Sequence, residues 1–173
     1  MSAVSLPNYF ASLARYHAWA TQRLVASNLQ GLSDDEWHRD CGLFFRSVHR
    51  TVNHLLLTDS IWFARFAEGK SLRLPLDTEL HTDRIEVCDA LVRAVTRWGP
   101  WLSTLAPERF EGDLAYTRNN GDAVRIPFAP ALGHVFNHAT HHRGQLSAAL
   151  TAMRQPGPEL DWVYLLQQEA KSS

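Results

Sequence analysis

Residues 134 to 145 read His-Val-Phe-Asn-His-Ala-Thr-His-His-Arg-Gly-Gln and hold four of the nine histidines of the chain, His134, His138, His141 and His142. At about 100° per residue, His134, His138, His142 and Gln145 fall within roughly an 80° arc of one helix, and His141 lies about 20° outside it. Imidazoles stacked in this way would repel if protonated and would strand polar nitrogens if simply buried. A divalent cation held by neutral ring nitrogens removes both problems.

His138 and His142, at i and i+4, can share one ion because successive turns place both rings on the same side. The residue after His138 is Ala139, where a His-Glu-x-x-His protease carries its general base, so peptide hydrolysis by that route is disfavoured. A site needs a third protein ligand, and His134, His54, His49 and His17 are the candidates. Three ligands at i, i+4 and i+8 of one helix span about 12 Å, too far for one ion. That puts His134 beside the site or in the pocket wall and favours His54. His141 is a candidate proton carrier at the pocket edge. Asp59 falls in the apolar arc of its helix and must meet an arginine, a histidine or a backbone donor, either as an ion pair or to orient an imidazole.

The elements that must position these residues follow from apolar spacing. Tyr9, Leu13, Tyr16, Ala20 and Leu24 step by three and four residues and predict a helix over 6 to 29. Ser33 with Glu36 is a capping-box signal for a short helical turn. Ser47 caps a second long helix that carries His54 and ends at Gly69, where a left-handed turn is expected. Residues 72 to 80 read as a loop, and a third helix runs from Thr82 or Asp83 to Leu105, kinked or broken at Gly99-Pro100. Leu114 to Tyr116 and Val124 to Ile126 flank Asn119-Asn120-Gly121 and predict a β-hairpin. A helix through Met153 holds the histidine run, Pro156-Gly157-Pro158 stops it, and a short helix over 159 to 169 docks Trp162, Tyr164 and Leu165. Trp19, Trp62, Trp98, Trp101 and Trp162 read as core or pocket wall. The pattern is an all-α four-helix bundle with a small hairpin before the last long helix, forming one domain over residues 1 to 173.

The composition is that of a globular protein, 45% apolar and 20% charged, with a formal charge of -1, and no basic patch suggests nucleic acid. No apolar run is long enough to span a bilayer, and the first residues lack a secretory leader pattern, so a cytoplasmic setting is expected. Cys41 and Cys88 form no Cys-x-x-Cys and read as free, buried thiols.

The 134 to 145 segment resembles the signature of the DinB family of four-helix-bundle metalloproteins. Tyr16-His17-Ala18-Trp19-Ala20 resembles that family's first-helix Tyr-Asn-x-Trp-Ala pattern, with His17 standing where asparagine is frequent. Asn53-His54-Leu55-Leu56 with Ile61-Trp62 resembles its second-helix metal segment. The resemblance covers residues 8 to 166 and implies a metal triad of His54, His138 and His142 and a homodimer; three histidines plus water suit zinc, nickel or iron(II) as the cation. It further implies activities that use low-molecular-weight thiols. The leading expectation is a metal-dependent thiol S-transferase of stress response or detoxification, acting on a small-molecule thiol and an electrophile. Hydrolysis by a metal-bound hydroxide, with His134 or His141 carrying protons, and a non-catalytic metal-stabilised interaction module are the alternatives.

Overall fold

The structure, a computed structural model, describes residues 5–172; residues 1 to 4, which open the stretch read for a leader, and residue 173 lie outside it. Short polar caps set where the helices start. Ser5 accepts from the Asn8 amide at the head of α1 (Leu6–Leu24), and Ser33 closes a reciprocal capping box with Glu36 on α2 (Asp34–His38). Those hydrogen bonds hold the Glu36 carboxyl down at about 2. Ser47 caps α3 (Val48–Ala67), and Asp83 caps α4 (Arg84–Thr96).

A short α5 (Trp98–Leu102) follows, then a 3-10 turn (Pro107–Glu111), β1 (Asp113–Thr117), β2 (Ala123–Pro127), α6 (Phe128–Ala152) and α7 (Trp162–Ser172). The two strands pair antiparallel, Leu114 opposite Ile126, and Gly121 supplies the positive φ that the connection requires. Gly69 does the same after α3, at φ 64°.

α1 and α3 each pack on both α4 and α6, so α1 and α3 lie diagonally across the bundle. One apolar cluster joins Leu24, Val52, Leu55, Leu91 and Leu146; a second, rich in aromatics, joins Phe10, Phe66, Trp98, Phe128 and Phe136. Along α1 and α3 the buried polar residues His17 and Asp59 fall between these two clusters.

The first helix spans 6 to 29 as its spacing predicts, with the last turn widened to a π-helix over Val25–Leu29. Four expectations need correction. The third helix breaks at Arg97, ahead of Gly99, and does not reach Leu105. A restart at Trp98 leaves Pro100 in the first turn of α5, where its missing N–H is not needed. The C-terminal helix starts three residues late, at Trp162, because the preceding segment is held extended: Pro156 O accepts from Asn28 and Leu160 O accepts from the Tyr16 hydroxyl. Trp162 stacks on Tyr16 and Leu165 is buried, but Tyr164 remains exposed. Cys88 is buried as expected, whereas Cys41 is only partly covered.

Candidate metal centre

α3 and α6 run side by side with their histidines facing, and this brings His54, His138 and His142 together. One ring nitrogen from each lies within 4.8 Å of the other two, a group able to hold a metal ion. Hydrogen bonds at the far side of two rings set which nitrogen faces inward. His54 Nδ1 donates to Leu76 O at 2.8 Å, and His142 Nδ1 donates to Gln145 Oε1 at 2.7 Å, leaving Nε2 of each as the lone-pair bearer. His142 Nε2 lies 3.2 Å from His138 Nε2. Phe45, from the loop ahead of α3, stacks on His54 with centroids 3.9 Å apart and limits its rotation.

All three imidazoles are held neutral. Burial depresses His54, and burial with the neighbouring histidines lowers His138 to about 3. His142 falls to about 4, chiefly through burial, against an opposing contribution from Gln145. Neutral nitrogens converging on one point are what a borderline divalent cation requires, and three of them leave coordination positions open. The donor set therefore fits zinc, nickel or iron(II).

His54 and His138 also form one end of a cavity of about 440 Å³. Its walls are the facing sides of α3 and α6, and its roof is the β-hairpin, with Trp62, Arg65, Tyr116 and His134 among the lining residues. His134 packs edge-on to Trp62 at 5.2 Å, and its own burial lowers its pKa. It sits in the cavity wall, outside the imidazole group, as its spacing predicted. His141 does not line the cavity; its Nε2 accepts from the Gln145 amide at 3.2 Å. Instead it fixes the glutamine that orients His142.

The other two ligand candidates are fully engaged elsewhere. His49 Nδ1 accepts from Trp37 Nε1 at 3.0 Å and its Nε2 meets Glu79 at 3.0 Å. His17 Nδ1 accepts from Arg143 at 3.0 Å, and its Nε2 donates to Asp59 Oδ2 at 2.9 Å. Trp98 Nε1 donates to the same Asp59 oxygen, and Arg97 stands 3.6 Å from the other. Asp59 thus finds the histidine and arginine it required, and it orients His17, not one of the grouped imidazoles. Residues the sequence reading passed over include Phe45, Arg65 and Arg143. Arg65 carried a usable signal, since it lies on the His54 face of α3 at i+11; nothing in the sequence marks Phe45 as a stacking partner.

A helical bundle whose facing helices gather three neutral imidazoles at the end of a cavity is a bundle protein with a candidate metal centre. The chain is a member of the DinB family, whose family model matches residues 1–172. Protein DinB of Bacillus subtilis (strain 168) is 25% identical over 158 residues, which is 88% of each chain. Among the described residues, no helix is long and apolar enough to cross a membrane.

Proposed function

We propose that the protein is a divalent-metal-dependent thiol S-transferase of detoxification or stress response, with His54, His138 and His142 as the metal ligands. The observation that carries this reading is the convergence of three neutral imidazoles at the end of a cavity large enough for a small organic substrate. The bound cation would supply Lewis acidity, making a nearby thiol more acidic. The residues of the chain supply the rest. Leu76 O and Gln145 hold two imidazoles in the ligating tautomer, Phe45 screens one of them from water, and Trp62 with Tyr116 forms an apolar wall against an electrophile.

His134, neutral and in the cavity wall, accepts the thiol proton. The thiolate sulfur then forms a bond to the electrophilic carbon as the carbon–leaving-group bond breaks, and the leaving group departs with that electron pair and takes the proton from His134.

The test is metal analysis by mass spectrometry of tag-free protein, followed by turnover assays with electrophile panels with and without a low-molecular-weight thiol. Near one metal per chain and thiol-dependent turnover support the proposal. Metal-dependent turnover with no thiol present would replace it with hydrolysis, and stoichiometric metal with no turnover on any panel would leave a structural metal.

A further inference from the structure

Arg65 lines the cavity and has no acidic partner among the described residues. Arg15, Arg84, Arg97 and Arg125 reach Glu169, Asp34, Asp59 and Asp113 respectively. The Arg65 guanidinium instead rests on two rings, 4.6 Å from Trp62 and 4.2 Å from Tyr116. Its Nε is buried, and it makes no hydrogen bond or ion pair among the described residues. A desolvated guanidinium nitrogen with nothing to donate to is costly unless a ligand satisfies it. Among the described residues no aspartate or glutamate lines the cavity, whereas a second arginine, the exposed Arg118, stands at the hairpin turn on its rim.

The placement along α3 adds direction. His54, Thr58, Ile61 and Arg65 follow at i, i+4, i+7 and i+11, a stripe within about 60° of arc, and all four line the cavity. The cationic end and the imidazole end are therefore opposite ends of one slot. Eleven residues of helix span about 16 Å, and Arg65 lies back over Trp62 one turn closer, so the gap is on the order of 10 Å.

We propose that this cavity binds a small organic carboxylate end-on. Arg65 holds the carboxylate through its planar fork, Arg118 supports it from the rim, and the far end of the ligand, carrying its sulfur or electrophilic carbon, is delivered to the imidazole group. The carboxylate end stands independently of the metal; only what happens at the far end rests on the transferase reading above.

The test is isothermal titration of the full chain, both metal-free and zinc-loaded, with mercaptohexanoate, mercaptohexanol and hexanoate. Mercaptohexanoate is expected to bind zinc-loaded protein about tenfold or more tightly than the alcohol, as charge-assisted hydrogen bonds imply. Arg65→Gln should erase that preference, and Arg118→Gln should reduce it by less. Arg65→Lys, which keeps the charge and loses the fork, should fall between parent and Arg65→Gln, and serves as the control for folding. Equal affinity for acid and alcohol in the parent, or a preference that survives in Arg65→Gln, overturns the proposal. Arg65-dependent binding of hexanoate to a chain that takes up no zinc would uphold the carboxylate site while sinking the metal reading. Zinc-dependent binding of both thiols with no preference for the acid would do the reverse.

Discussion

His17 and His138 are both buried or half-buried imidazoles, yet they sit in opposite chemical situations. At His17 every ring nitrogen has a protein partner: Arg143 donates to one, and the other donates to Asp59, which Trp98 also reaches. At His138 the facing nitrogen of His142 stands 3.2 Å away with its lone pair directed inward, and a third imidazole adds another. The first arrangement gives both ring nitrogens a partner, although Asp59 Oδ1 has only the Arg97 ion pair and Arg143 Nε makes no hydrogen bond, and it ties α1, α3, α5 and α6 together. The second can match one of these acceptors if His138 Nε2 donates to His142, and it still leaves inward-facing lone pairs that a group from outside must satisfy, as a metal ion would. A histidine is thus read as a ligand or a strut by the balance of donors and acceptors around it, and not by burial, which depresses His17, His54, His138 and His142 alike.

The sharpest way to break this contrast is His138→Ala. It should reduce metal content from near one equivalent to background by mass spectrometry. Added zinc at a hundred times its Kd, worth about 2.7 kcal/mol of stability to the parent, should then leave the melting temperature of the variant unmoved. Next in size is Asp59→Ala, which strands His17, Arg97 and Trp98. Breaking a buried pair costs about 3–5 kcal/mol, or a fall of roughly 6–20 °C in Tm for a chain of this size by calorimetry. The folded variant should still bind one metal; if metal is lost as well, the two regions are a single unit and the contrast fails.

Gln145→Ala should weaken metal affinity by about 10–100-fold in competition with a chelating dye, because His142 loses the partner that fixes its tautomer. The last test is of pH. His138 and His142 have folded-state pKa values of about 3 and about 4, below the ordinary histidine value of 6.5. The unfolded chain therefore takes up their protons first, so metal-free stability is full above about pH 6.5 and falls as pH drops toward 4 and then 3. Urea midpoints at pH 7.5 and 5 should show this loss in the parent and less of it in His138→Ala.

Those parts of the site that depend on helical spacing were legible in the sequence. His138 and His142 share a face by arithmetic, Ser47 marks the start of the helix that carries His54, and Asn119-Asn120-Gly121 marks the hairpin that became the cavity roof. What escaped were choices made between elements. Asp59 had several acceptable partners, and only packing decided for His17 and Trp98 over a metal-bound ring. Arg65 looks like an ordinary solvated arginine until Tyr116 from the hairpin lies against it. The helix break at Arg97 escaped because a Gly-Pro pair suggests a stop at itself, whereas a proline in a first turn is tolerated and moves the boundary upstream.

The knot around His17 also sets a schedule for the newborn chain. Arg143 lies 126 residues beyond His17, an interval of roughly 6–25 s at synthesis rates of about 5–20 residues per second. Until Arg143 arrives, Asp59 can gather only His17, Arg97 and Trp98, and the other ring nitrogen of His17 has only water. The first helix therefore cannot take its final seat until the ribosome has delivered the same helix that carries His138 and His142. The strut and two of the three inward-facing imidazoles arrive on one segment, and the bundle closes around both at once.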